Sequence, residues 1–335
     1  MKYIVLTKCL CIFTAILVLV TAATTIAQTN CSFLPSGVVA WWKGEGNGVD
    51  IIGSNSASLV GGVGFAQGKA GQAFSFDGIG ASASNSVPAL TNIQNSYTIE
   101  FWAYPTAGRA SSPEATGGLH GTSGQRYAIF PNFGGTGPAG PAGAGVSVGT
   151  NGISVFEHGD TYLPSLLVYD APILGWNHIA IVYSNRQPRL YLNGVLVRTG
   201  ITSLWNSCPS TILGGRIFNI DNTPLNYGFY AGLLDEVSIY NRSLTETEVQ
   251  SIYNAGSAGK CVTTQLPSLQ VAASGSDLVV SWPLWATNFT LQESSVLTGD
   301  GTTWTNTTAS VVITQGQNTV TLPMNAGPKW YRLRQ

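Results

Sequence analysis

Between Leu192 and Val195 the chain has only Asn193 and Gly194 in which to reverse direction. A two-residue reversal needs positive φ at both positions, which Asn and Gly adopt at least cost, and its twist suits antiparallel strands. The flanks agree. His178 to Tyr183 and Arg189 to Leu192 read as strands with a turn at Ser184 to Pro188, and Val195 to Arg198 completes a meander. Tyr97 to Tyr104 alternates the same way. Tyr97, Ile99, Phe101 and Ala103 share one face, and Thr98, Glu100, Trp102 and Tyr104 share the other.

Further strands are expected at Val38 to Trp42, Phe74 to Phe76 before the Asp77-Gly78 turn, and Gly232 to Tyr240. A hairpin is expected for Val146 to Val148 and Ile153 to Val155 around Asn151-Gly152. Residues 106–125 and Gly134 to Gly145 are rich in Gly with Ser, Thr, Pro or Ala, and read as loops. One helix follows Tyr240. Thr245 and Glu248 form a capping box, Leu244 and Val249 a hydrophobic staple, and Gly256 the stop. The helix is expected to plug one end of a sandwich.

After a linker at 262–267, short strand candidates recur at 269–273, 278–282, 288–293, 303–306, 310–313, 317–322 and 329–333. That rhythm predicts a second, small sandwich over 268–335. The fold class is therefore all-β in two domains, 38–261 after a lead-in at 28–37, and 268–335.

Only 9% of the 335 residues are charged, and the net charge is −1. No cluster of Lys and Arg offers a face to nucleic acid. Lys2 and Lys8, the apolar run Cys9 to Val20 and the small residues at Thr25 and Ala27 read as a secretion signal over 1–27. The competing reading is an uncleaved anchor over Cys9 to Ala27, and no membrane span is expected once a signal is removed. The expected location is extracellular or at the cell surface, where disulfides form.

Several motifs resemble the laminin-G-like (concanavalin A-like) jelly-roll family over roughly 35–261. They are Val39-Ala40-Trp41-Trp42-Lys43-Gly44-Glu45-Gly46, Gly71 to Gly78, Tyr97 to Trp102, Gly175 to Ala180 with Leu190 to Gly194, and Leu234-Asp235-Glu236-Val237-Ser238-Ile239-Tyr240-Asn241-Arg242. Trp282-Pro283 and Trp330-Tyr331-Arg332-Leu333 resemble the Ig/fibronectin-III-like sandwiches that end many secreted bacterial proteins. The ends of a jelly roll lie close together, so Cys31 and Cys261 are expected to pair and Cys208 to be a small buried hydrophobe.

The resemblance implies a binding or adhesion module more often than an enzyme, with an extracellular glycan or a surface protein as partner. Related jelly rolls hold one structural calcium near the rim, and Glu45, Asp50 and Asp235 are the matching acids here. The Gly46-Asn47-Gly48 turn is short where the family often places another. Sugars stack on exposed aromatic faces, which makes Trp102, Tyr104, Trp205, Tyr227 and Tyr230 candidates, with the Asn206 amide beside Trp205.

Two other readings compete: a glycoside hydrolase or its accessory module, and a structural envelope protein. Hydrolysis needs two carboxylates facing one sugar. No E-x-D-x-E strand motif occurs, and Asp235 and Glu236, being adjacent, are expected on opposite faces of a strand. His120, His158 and His178 are scattered; His178 reads as packed, and His158 as a surface residue at a loop edge.

Overall fold

The structure is a computed structural model. It describes residues 4–5, 31–133, 135, 140–220, 223–261, 267–284, 286, 289–298, 302–314, 316–324 and 329–334, with side chains over the same ranges except 4–5 and 217–227. The signal-like segment, apart from Ile4–Val5, and most of the linker lie outside the described residues. The chain divides into two compact units, Gln28–Val262 and one carrying Thr263–Gln335.

The larger unit is a two-sheet sandwich. Sheet A runs in the order β13 (Val195–Thr199), β12 (Gln187–Leu192), β11 (Asn177–Ser184), β6 (Tyr97–Pro105), β18 (Ala231–Tyr240), β4 (Gln72–Asp77) and β3 (Gly64–Gln67), with β1 (Val38–Trp42) also on β18. Sheet B runs β10 (Ser165–Tyr169), β9 (Gly152–His158), β8 (Ala142–Gly149), β7 (Tyr127–Phe130), β15 (Ile212–Leu213), β5 (Ser82–Ser84) and β2 (Ser58–Val60). A short strand β14 (Ser207–Pro209) pairs parallel with β8, and β16 (Arg216–Ile220) and β17 (Thr223–Tyr227) form a separate hairpin.

Strand alternation builds the core. Trp42, Phe74, Ile99, Phe101 and Ile181 face inward from sheet A, and Val146, Val148, Ile153, Val155 and Leu167 face them from sheet B. The Asn193-Gly194 turn forms as the sequence requires, with φ of 53° and 82°. The preceding turn is tighter than expected: Gln187 already pairs with Ser184, which leaves Asn185 and Arg186 at φ 48° and 71°.

Two expectations need correction. Gly134 to Gly145 is not all loop, because β8 begins at Ala142 and all eight of its residues are buried. Ala144, Val146 and Val148 fill the core, so Gly143 and Gly145 face out. A Cβ on Gly143 would lie 1.8 Å from the Asn132 carbonyl oxygen, and one on Gly145 would lie 2.3 Å from the Pro131 nitrogen. The glycines thus let a second backbone layer lie directly on sheet B. Tyr127, Phe130, Phe156, Leu163 and Ile212 form a separate apolar cluster.

The helix is the second correction. α1 (Glu246–Ala255) carries its capping box and staple, but it does not plug an end. Leu244, Val249 and Ile252 pack on Ala180, Val182, Tyr191 and Tyr240, the outward residues of sheet A. Cys31–Cys261 is a disulfide, and it joins the ends of a short parallel pair, Ser32–Phe33 with Lys260–Cys261. Cys208 is a free, buried cysteine whose thiol burial pushes up to about 12.

The C-terminal unit has seven strands where the sequence places them. β19 (Gln270–Ser274), β20 (Asp277–Pro283), β24 (Gln317–Pro323) and β23 (Val312–Thr314) form one sheet. β25 (Trp330–Arg334), β21 (Thr290–Ser294) and β22 (Thr305–Asn306) form the other, with Ile4–Val5 paired to β25. Trp282 is the largest side chain in its core, among Val280, Leu291, Val320 and Tyr331.

Replacing Gly143 by Ala should force Asn132 off sheet B and cost roughly 1–3 kcal/mol. Urea unfolding of Gly143→Ala beside the wild type measures this, and an unchanged midpoint would contradict the close approach.

Candidate functional site

Trp205, one of the candidate aromatics, is exposed on a loop pinned along its length. Gly200 N–H donates to Pro188 O at 2.9 Å, Ile201 N–H to Leu166 O at 2.8 Å, and Ser203 N–H to Arg186 O at 2.9 Å. Beyond Trp205, Asn206 O accepts from Ala142 N at 2.8 Å. Its side-chain oxygen accepts from Asn95 Nδ2 at 3.0 Å. Asn95 holds φ 67°, a conformation Asn tolerates, and this brings its amide to the loop.

Between these anchors Leu204 is 64% exposed and Trp205 38%. The Trp205 ring meets Tyr162 edge-on at 6.3 Å, and the Trp205 backbone N–H donates to Ser203 Oγ at 3.0 Å. The result is a fixed, half-open indole face with an exposed amide beside it.

Under this loop lies a buried acid that sequence reasoning missed. Ser203 Oγ also donates to Glu157 Oε2. Glu157 is fully buried at the inner edge of β9, near the stacked rings of Tyr97 and Tyr183 and the Ser207 hydroxyl. Burial pushes its carboxyl up to about 8, although hydroxyls around it favour the charged form. It is therefore mainly uncharged at neutral pH. The neighbouring His158 is not a plain surface residue: its ring is partly buried and its Nδ1 lies 2.9 Å from Pro131 O.

The other candidate aromatics divide. Trp102 is 3% exposed, stacked on Tyr253 at 5.8 Å with Lys69 Nζ 4.6 Å from its ring centre. Tyr230 is 0% exposed and belongs to the main core. Neither offers a face to a ligand, which corrects both assignments. The Tyr227 side chain lies outside the described residues. Tyr104 is half-open and meets Trp176 edge-on at 5.8 Å.

Asp235 and Glu236 also depart from expectation. β18 changes partner here, from β4 at Leu234 to β1 at Val237, and its register with β6 shifts across the same residues. Glu236 takes φ 56°. Leu234 and Val237 both point into the core, so the bulge turns both intervening acids to the outer face. Glu236 Oε2 accepts from Lys260 N at 3.3 Å.

Lys260 Nζ joins Glu100 Oε1 at 2.7 Å and Glu236 O at 2.6 Å, while His178 Nε2 lies 3.1 Å from Glu100 Oε2. Burial raises the Glu100 carboxyl, but Lys260 and His178 outweigh it and hold the group below its ordinary value. Burial pushes Asp235 up to about 7 and raises Glu236 as well, with Lys260 opposing both shifts.

The acids proposed for calcium do not assemble as a trio. Asp50 Oδ1 accepts from the N–H groups of Trp41, Ile52 and Gly53, and Oδ2 accepts from the backbone and side chain of Asn55. Its lone pairs are committed to the 50–55 turn, which removes it as a cation ligand. Glu45 and Asp235 do reach one turn, accepting from Gln72 N and Ala70 N, and Asp235 Oδ1 is buried without a partner. Among the described residues no three acids, His or Cys are arranged to hold a metal ion.

A profile of the concanavalin A-like lectin/glucanases superfamily, of the laminin-G type, matches residues 77–250. The chain belongs to this superfamily. Solved structures give distant likenesses. Domain 4 of AbnA, an extracellular GH43 arabinanase of Geobacillus stearothermophilus solved with arabinotriose, is 17% identical, with a TM-score of 0.43 over 65% of this chain and 98% of that one. Trypanosoma rangeli sialidase is 16% identical, with a TM-score of 0.44 over 66% of this chain and 33% of its own. A ganglioside-interacting botulinum neurotoxin type C is 11% identical, with a TM-score of 0.43 over 81% and 68%. No curated protein matches the chain significantly.

Within this superfamily jelly roll, Glu100, Glu157 and Lys260 had one sequence signal available. In a chain so poor in charge, an ionised residue inside or beside a strand requires a partner. Lys260→Met should cost about 3–5 kcal/mol, because it leaves Glu100 buried without its countercharge. Chemical denaturation reads this, and a loss below 1 kcal/mol would contradict the ion pairing.

Glu157 gives a pH signature. Its folded pKa of about 8 exceeds its ordinary 4.5, so the native state binds the proton more tightly. Stability from this group is present below pH 4.5 and is lost as pH climbs to about 8. Glu157→Gln should flatten the fall in melting temperature across that window, and an unchanged slope would show Glu157 to be ionised in the fold.

Proposed function

We propose that this protein is a secreted, non-catalytic binding protein that holds extracellular carbohydrate on the 200–206 rim of its jelly roll. The observation that carries this reading is Trp205, a half-exposed indole set edge-on against Tyr162, with its backbone held by Ser203 and the Asn206 amide alongside. A rigid ring gives a sugar's C–H face a surface to stack on, and the amide offers donors and acceptors to its hydroxyls.

The acids with raised pKa do not favour hydrolysis. Glu157, Asp235 and Glu236 are buried beneath other segments, whereas a glycosidase's acid must reach the bond it cleaves. The Cys31–Cys261 disulfide and the signal-like first 27 residues support export. Among the described residues no helix is long and apolar enough to cross a membrane. The C-terminal sandwich is proposed as a fibronectin-type module of the same secreted protein.

A glycan array on the wild type and Trp205→Ala tests the reading, run with calcium and with chelator. The expected outcome is defined glycan binding by the wild type that falls at least tenfold in Trp205→Ala, about 1.4 kcal/mol of lost stacking. Loss of binding in chelator would show that a divalent cation takes part in it. Equal binding by both proteins would remove Trp205 from the site, and silence throughout would refute carbohydrate as the ligand.

A further inference from the structure

The edge of the sandwich carries a feature that the Trp205 platform does not use. Where edge strand β10 of sheet B meets edge strand β13 of sheet A, an open groove of about 490 Å³ is lined by Ser111, Ser112, Pro113, Glu114, Asp170 and Arg198. Its polar groups are held before any ligand arrives. Arg198 binds Glu114 through two parallel contacts, Nε to Oε1 at 2.9 Å and Nη2 to Oε2 at 2.7 Å. Glu114 Oε1 also accepts from Val168 N at 2.9 Å. Asp170 Oδ1 accepts from Arg109 Nη2 and Oδ2 from Ser111 Oγ, both at 2.7 Å. Arg109 is buried, whereas the Asp170 side chain is 55% exposed.

We propose that this groove is a second binding site, for the hydroxyl groups of a neutral polysaccharide chain that continues from the Trp205 platform. The proposal rests on the carbohydrate reading above and adds the ligand's charge and extent. Two carboxylates face two guanidinium groups, so the groove is balanced in charge. An anionic chain would meet Glu114 and Asp170, and a cationic one would meet Arg198. Neutral hydroxyls meet neither penalty. They find lone pairs left on Asp170 and unused N–H groups on Arg198, whose fork keeps its geometry.

The groove wall also disfavours an extended peptide. Adding a strand needs free backbone groups on the edge. Here Glu114 covers Val168 N, Ala115 N covers Ser165 O, and Ile201 N covers Leu166 O.

Continuity comes from the chain itself. Arg198 is the next-to-last residue of β13, and the segment after it pairs with Leu166 of β10 through Ile201 and leads to Trp205. Tyr162 lies just before β10 and Asp170 just after it. The eight residue steps from Tyr162 to Asp170 therefore put platform and groove at most about 26 Å apart, at roughly 3.3 Å per residue. A chain lying along the sandwich edge touches both, whereas a single sugar touches only one.

The test is calorimetric titration of the whole mature protein with neutral gluco-, manno- and xylo-oligosaccharides, from disaccharide to octasaccharide, and with uronate-containing chains of equal length. The variants are Arg198→Gln, Asp170→Asn and Trp205→Ala, each checked by thermal melting. Wild-type affinity should rise with length on one neutral series. Arg198→Gln and Asp170→Asn should remove that rise, about tenfold on the longest chains, and leave the shortest unchanged. If both variants keep the rise while Trp205→Ala abolishes binding, the groove is refuted and the platform stands. If the wild type binds no neutral chain, both readings fall. Tighter binding of the uronate chains would overturn the charge argument.

Discussion

The ammonium group of Lys260 decides how the outer face of sheet A is closed. It sits between Glu100 on β6 and the Glu236 carbonyl on the β18 bulge, with Trp41 beneath it at 5.2 Å. None of these charges has water to rely on, so each is tolerable only while the others are in place. The bulge aims Glu236, β6 supplies Glu100, and the segment after α1 delivers Lys260. The Cys31–Cys261 bond fixes that segment one residue further on. Helix packing, ion pairing and covalent closure thus depend on a single registration of the chain's return across the sheet.

Much of the fold was legible because its signals are local. Asn193-Gly194, the alternation of Tyr97 to Tyr104 and the Thr245–Glu248 box each specify geometry within a few residues, and each formed. What escaped was non-local. The start of β8 reads as Gly-rich loop until it is known that Pro131 and Asn132 need room above it. The helix reads as an end plug because its apolar stripe does not say which surface receives it. Asp235 and Glu236 read as opposed because strict alternation holds only where a strand keeps one partner.

The candidate site shows the same division. Trp205 and Asn206 lie in a turn-rich stretch and emerged exposed, as their context suggested. Trp102 lies on a strand and Tyr230 just before one, and local pattern does not say whether either side chain is covered. Lys69, Tyr253 and the opposite sheet cover them. Asp50 looked like a metal ligand by residue type, yet its neighbours turned it into the hub of a turn. Glu157 gave only the hint of an acid inside a strand.

The bare outer side of β8 has a wider consequence. By admitting Pro131 and Asn132 onto sheet B, Gly143 and Gly145 let the protein's own backbone occupy ground where a ligand could otherwise lie. The broad face is upholstered from within. A molecule approaching the outer side of β8 there meets the protein's own backbone in place of an open sheet.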